Sequence, residues 1–220
     1  MPAAVRVPDH RLMTTEQLPD EYWNAFYSEH EQIWSGKPNA AFADEVAGLA
    51  PGRALDLGCG EGADAIWLAE RGWTVTAVDV STVALGRAAE HAKAAGVGDR
   101  IDWQQHELGN SFPDGEFDLV SAQFLHSKTD LPRDGILRRA AAAVAPGGVL
   151  LIEGHLGFSP GEHNPHPEVH FPEPDEVIES LALPDGEWET LVSRAHDRAQ
   201  VMRDGVPINR RDCTVKLRRR

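Results

Sequence analysis

Residues Arg53 to Gly62, taken with Asp79, have the types and spacing from which chemistry can be built. Ala54-Leu55-Asp56-Leu57 is a short apolar run holding one acid, and Gly58-Cys59-Gly60-Glu61-Gly62 follows at once. A buried strand should therefore end in a glycine turn. Glycines admit a ligand to the backbone with no side chain in the way, and the helix that follows offers free N–H groups. Asp79 lies about twenty residues beyond the turn, where a carboxylate can accept bonds from both ribose hydroxyls. This is the chemistry needed to hold an adenosine. It leaves two cofactors open: Gly58, Gly60 and Ala63 fit the dinucleotide pattern G-x-G-x-x-A, and with Asp56 the same stretch reads acid-x-Gly-x-Gly-x-Gly.

Alternating strands and helices must position these residues. Ala63 to Arg71 has helical apolar spacing closed by Gly72, and Thr74 to Val80 is the next strand. Ser81 is placed to cap an alanine-rich helix running to Ala95, whose small face of Val83, Ala84, Ala88 and Ala92 predicts close packing on a sheet. Ile101 to Leu108 and Phe117 to Phe124 read as the third and fourth strands, Arg133 to Ala145 as a helix ended by Pro146-Gly147-Gly148, and Val149 to Glu153 as a fifth strand. This alternation predicts an α/β fold with a parallel sheet covered on both faces, and ligands beyond the carboxyl ends of the strands. Those ends carry the glycine turn, Asp79, Glu107, Gln123 with His126, and Gly154 with His155. Glu107 is placed to accept from an adenine amine, with His106 and Leu108 flanking the ring.

Composition bounds the rest. A chain of 220 residues with 41% hydrophobic content predicts one domain over residues 20–220, behind a mobile tail over residues 1–19 that holds Pro2, Pro8 and Pro19. A helix capped by Asp20, with Tyr22, Trp23, Phe26, Tyr27, Ile33 and Trp34 as an aromatic face, and a second helix from Ala40 to Leu49 make up a pair over residues 20–50. These either cap the cofactor or simply pack. A net charge of −14, from 21 Lys+Arg against 35 Asp+Glu, disfavours nucleic acid and favours a small-molecule partner. Two cysteines, no signal-peptide core and no stretch approaching the ~18 apolar residues of a membrane span predict a cytoplasmic protein.

Four landmarks, in order, carry a resemblance. Leu55-Asp56-Leu57-Gly58-Cys59-Gly60-Glu61-Gly62, Ala77-Val78-Asp79-Val80-Ser81, Phe117-Asp118-Leu119-Val120 and Ala145-Pro146-Gly147-Gly148 look like those of the class I methyltransferases that use S-adenosylmethionine. The resemblance covers about residues 20–156. It implies a Rossmann-like, mostly parallel seven-stranded sheet with helices on both faces, finished by an antiparallel hairpin from Trp188 to His196 and Asp212 to Leu217. It also implies that Trp34, Asp56, Gly58, Cys59, Gly60, Gly62, Asp79, Val80, Glu107, Leu108 and Gln123 hold S-adenosyl-L-methionine, with S-adenosyl-L-homocysteine as product. A nicotinamide-dependent oxidoreductase would give no reason for Pro146-Gly147-Gly148 or the closing hairpin. A third reading, a non-catalytic binding module, is separated from the first by turnover alone.

Within the class, Trp34-Ser35-Gly36-Lys37-Pro38-Asn39 is similar to the opening of small bacterial enzymes of the tellurite-resistance and thiopurine type. That likeness implies a thiol or another soft acceptor, with O- or N-methylation of a small metabolite as the alternative. Ser121-Ala122-Gln123-Phe124 departs from the Asn/Asp-Pro-Pro-aromatic pattern of nucleic-acid amino methyltransferases. His126 is the candidate base, since imidazole takes a proton near neutrality, and the plainer alternative is a histidine bonded to nearby backbone. Residues 155–174 hold His155, His163, His166 and His170 among five prolines, which predicts a stiff lid over the acceptor. No metal is expected there: His163, His166 and His170 lack a helical ligand spacing and have no cysteine near.

Overall fold

The computed structural model describes residues 18–29, 31–158, 170–201 and 207–220. Seven strands form one sheet in the order β3-β2-β1-β4-β5-β7-β6. β1 (Arg53–Leu57), β2 (Thr74–Asp79), β3 (Ile101–Gln105), β4 (Phe117–Gln123) and β5 (Val144–Phe158) pair in parallel. β7 (Pro207–Arg219) enters antiparallel between β5 and β6 (Trp188–Val201). The implied seven-stranded sheet with an antiparallel end is therefore the fold. The local reason is legible in β1, where Ala54, Leu55, Asp56 and Leu57 are all buried. Leu55 and Leu57 face one apolar core, shared with the helix α5 (Arg133–Ala142), while Ala54 faces a second, shared with α3 (Ala63–Glu70). A strand covered on both faces has no polar side, which is what a parallel interior strand requires.

Several boundaries differ from the sequence expectation. The helix α1 (Pro19–Ser28) begins two residues earlier: Leu18 is its N-cap and Asp20 sits inside the first turn, so Pro19 belongs to the helix and Asp20 is not its cap. Proline at the first position is already set to helical φ and has no N–H to lose. Ile33 and Trp34 lie beyond α1, and α2 (Ala40–Val46) stops three residues before Leu49. β3 ends at Gln105, because Glu107 O accepts from both Asn110 N and Ser111 N at 2.8 Å and turns the chain there. α6 (Pro174–Ser180) is capped by Glu173 rather than Asp175, through a reciprocal capping box with Glu176. α4 (Thr82–Ala94) keeps its expected cap, Ser81 Oγ accepting from Ala84 N, and buries Ala84, Ala88 and Ala92.

β5 is much longer than Val149 to Glu153. Its pairing with β4 jumps from Phe117↔Val144 to Leu119↔Val149, so Pro146-Gly147-Gly148 forms an irregularity inside the strand. Gly148 is required there, since a Cβ would stand 2.9 Å from both Ala145 O and Phe117 O. At the other end His155 is a strand residue paired with Asp212. Of the expected lid, residues 155–158 belong to β5, Pro174 starts α6, and residues 159–169, with His163 and His166, lie outside the described residues. The helices α1 and α2 flank the segment that crosses the carboxyl ends of β1 and β2.

Candidate active site

The strand ends open into a cavity of about 900 Å³. Asp56, Gly58, Cys59 and Gly60 line it from β1 and its turn, Asp79 and Val80 from β2, and Glu107 and Leu108 from beyond β3. Gln123 and His126 come from β4 and its loop, and Trp34 from the segment between α1 and α2. Gly62, expected to touch the cofactor, is not among the lining residues. It sits at φ 84° at the start of α3, where a Cβ would approach Trp103 to 2.7 Å and Ala88 to 2.8 Å. Its role is to let α3, α4 and β3 close on one another.

Asp79 fixes the turn. Its Oδ2 accepts from Gly60 N and its Oδ1 from Ser81 N, both at 2.9 Å. Burial raises its pKa, and these backbone bonds partly offset the rise. Two more carboxyls stand beside it. Asp56 is buried, with Oδ2 lacking any hydrogen-bond partner, and burial followed by Asp64 and Asp79 holds its pKa well above the carboxylate range. Asp64 accepts from Asn39 N and Asn39 Nδ2, both at 2.8 Å, yet burial still lifts it to about 6. Three carboxyls around an orphaned oxygen make a pocket end suited to a cation.

The segment over this end is pinned at both sides. Glu61, buried in the glycine turn, accepts from Ile33 N at 3.2 Å and Trp34 N at 3.0 Å and pairs with Arg87 of α4 at 3.0 Å. Arg87 Nη2 also donates to Tyr27 O in α1 at 2.8 Å. Trp34 Nε1 donates to Tyr27 Oη at 3.2 Å and leaves the indole about half exposed at the cavity rim. Sequence reasoning singled out Trp34 but missed Glu61 and Asp64. The available signal was a pair of charges set inside an otherwise apolar and glycine stretch.

The other end of the cavity is aromatic and basic. Phe124 takes φ 51°, a left-handed conformation that costs a non-glycine residue about 1–2 kcal/mol. Its ring lies 4.6 Å from that of His155, and the guanidinium of Arg198 sits 5.2 Å from its centroid. His126 stacks on His155 at 5.3 Å and 12°. Arg198 and Arg210, from β6 and β7, also line this end. His126 Nε2 accepts from His155 N at 3.4 Å, and burial, then Arg133 and His155, lower its pKa to about 4. It is therefore neutral at working pH but weakly basic, and its ring is bonded to backbone as the plainer sequence reading had it. Among the described residues no group of three or more His, Cys, Asp or Glu could hold a metal ion. His170 is exposed and pairs with Glu176 at 3.3 Å.

S-adenosylmethionine carries an ammonium and a sulfonium, and the acid end with its orphaned Asp56 oxygen fits both. A dinucleotide would bring a diphosphate against the same three carboxyls, so the oxidoreductase reading fails on charge. The fold and this site define a class I methyltransferase. The comparisons with known proteins agree. Residues 54–148 match the family described as Methyltransferase domain. A 2-heptyl-1-hydroxyquinolin-4(1H)-one methyltransferase of Mycobacteroides abscessus is 31% identical over 176 residues, covering 74% of this chain and 77% of its own. A 27-O-demethylrifamycin SV methyltransferase of Amycolatopsis mediterranei is 33% identical over 148 residues, 64% of this chain and 54% of its own. The structure of TehB from Haemophilus influenzae shares the fold at TM-score 0.66 and 17% identity, over 90% of this chain and 67% of that one. The chain belongs to the S-adenosylmethionine-dependent methyltransferases, and the likeness to the tellurite-resistance type holds at the level of fold. Among the described residues no helix is long and apolar enough to cross a membrane.

The paired acids make cofactor binding proton-linked. Burial, then Asp64 and Asp79, raise the Asp56 pKa, and a cation docked beside it favours its ionised form, so binding should release a proton. Affinity should rise as pH increases through about 6, where Asp64 ionises. Calorimetry in buffers of different ionisation enthalpy checks this. Proton release that disappears in Asp56→Asn is expected, and buffer-independent heats would refute it.

Proposed function

We propose that this enzyme methylates an acidic oxygen on a flat aromatic small molecule. The observation that carries the reading is the charge division of the cavity. Asp56, Asp64 and Asp79 surround the glycine turn, whereas Arg198 and Arg210 stand at the far end beside the Phe124, His155 and His126 rings. An acceptor that is planar and becomes anionic suits rings and guanidiniums together. The hydroxyquinolone relative has a planar acceptor by its name, which supports the same class. A thiol acceptor, expected from Trp34 to Asn39, would also be favoured by the arginines as its thiolate, but an aliphatic one would make no use of the Phe124, His155 and His126 rings.

Bound S-adenosylmethionine supplies a methyl group already activated as a sulfonium. Asp79 is the residue to hold the ribose, Glu107 and Leu108 to receive the adenine, and Asp56 with Gln123 to face the cationic tail. Gln123 Oε1 is buried without a partner while its Nε2 bonds Ser121 Oγ, which leaves an unused acceptor on a residue that lines the site. The segment Ile33 to Asn39 excludes water over the turn, which strengthens every charge interaction beneath it. We place the reaction in the cytoplasm, with a small molecule and not nucleic acid as partner, on the −14 net charge.

Calorimetry with S-adenosylhomocysteine, S-adenosylmethionine and NAD, followed by labelled-methyl transfer to phenols, hydroxyquinolines, thiols and amines, tests this directly. Adenosyl binding without NAD binding, and transfer preferring the hydroxyl compounds, is expected. Transfer confined to thiols would replace the oxygen reading with the soft-acceptor one.

A further inference from the structure

Two histidines face each other across the basic end of the cavity, and their ring nitrogens are in different circumstances. His126 has its Nε2 directed at a backbone N–H. His155 has its Nδ1 on Asp212 Oδ1 at 3.0 Å, in a pair fixed by the β5–β7 register. Asp212 is fully buried, and its second oxygen accepts from Arg198 Nε. Burial alone would raise the Asp212 pKa, but the bonds from His155 and Arg198 outweigh it and hold the carboxyl below its usual range. An ionised carboxylate only accepts, so it keeps the proton of neutral His155 on Nδ1 and leaves a lone pair on Nε2. The His155 ring lines the cavity, about a third exposed, between the rings of Phe124 and His126.

We propose that His155 is the catalytic base and Asp212 its positioning residue, an inference that rests on the oxygen-acceptor reading above. The acceptor O–H bond breaks, its proton goes to Nε2 of His155, and the electron pair stays on oxygen as the nucleophile. The imidazolium so formed lies against the Asp212 carboxylate, with Arg198 and Arg210 the neighbouring positive charges on β6 and β7. Those two guanidiniums oppose the imidazolium but favour the acceptor oxyanion, so net charge is shifted rather than created. His126 serves as a ring wall. Its low basicity leaves it neutral while His155 takes the proton.

The test uses para-substituted phenols and thiophenols graded from methoxy to nitro. His155→Ala should lower kcat/KM about a hundredfold for the methoxy phenol and under tenfold for the nitro phenol and the thiophenols, which ionise without help. Asp212→Asn should follow the same trend. Because Asp212 is buried, the half-open His155 variant, checked by thermal melting, decides if the Asn variant fails to fold. A second readout needs no turnover. With S-adenosylhomocysteine bound, 4-nitrophenol should show its anion absorbance below its own pKa in the wild type and lose it in His155→Ala. Equal losses across the series, or an anion signal unchanged without His155, would overturn the assignment. Wild-type transfer to thiophenols alone would instead remove the oxygen reading, while the 4-nitrophenol absorbance would still decide whether His155 takes a proton.

Discussion

Asp79→Ala is expected to weaken S-adenosylhomocysteine binding by about 10²- to 10⁴-fold while leaving the protein folded. Two ribose hydroxyls bonded to one carboxylate contribute roughly 1.5–3 kcal/mol each, and both are lost together. The same carboxylate holds Gly60 N and Ser81 N, so the turn loses its shape as well. Stability changes less than affinity because two effects oppose. Removing Asp79 orphans two N–H groups at about 1–3 kcal/mol each, but it also relieves the burial of a charge that the fold disfavours, as the raised pKa shows. Isothermal calorimetry beside a thermal melt separates the two quantities. Retained micromolar affinity would mean that the adenosine lies elsewhere.

Glu61→Ala should have the largest effect on stability of any single change at the site. The side chain is 4% exposed and holds Arg87, Ile33 N and Trp34 N at once. Removing one partner of a buried ion pair costs about 3–5 kcal/mol. Arg87 is 22% exposed and keeps its bond to Tyr27 O, so part of that cost is recovered by water and roughly 2–3 kcal/mol remains. For a chain of this length, this lowers Tm by about 5–10 °C. Cofactor affinity should fall with it, because Ile33 and Trp34 are no longer tied over the turn. Glu61→Gln keeps one acceptor for Trp34 N and should recover most of the binding but little of the melting temperature. A Glu61→Ala protein that melts and binds as the wild type would show that the segment is held by its apolar contacts alone.

The two variants also mark the border between what was readable and what was not. Asp79 was legible because everything that defines it is local: an apolar strand, a glycine turn, a helix, a second strand and an acid at its end. The Ser81 cap and the buried face of Ala84, Ala88 and Ala92 were legible for the same reason. Glu61 and Asp64 lie within that stretch and were missed, since their partners, Ile33 to Asn39, come from a segment with no periodicity of its own. Asp20 and Asp175 illustrate a different error. Each is a good capping residue beside a proline that begins a helix, and the proline moved the cap to the preceding residue.

Sequence alone determined the order of elements, the parallel part of the sheet, the meeting of the glycine turn and Asp79 at one sheet edge, and the class of enzyme, because short-range patterns of glycine, acid and apolar residues encode each of them. The sequence pointed to His126 as the base, and the proposal of His155 in its place rests on tertiary structure alone. His126 follows β4 and His155 lies inside β5, and either could take a proton by type. β7, inserted antiparallel between β5 and β6, brings Asp212 to His155 across 57 positions of chain, while the turn after β4 directs His126 at backbone. A hydrogen bond between residues so distant in sequence has no local signature, so the acceptor end of the cavity takes its chemistry from the register of two strands.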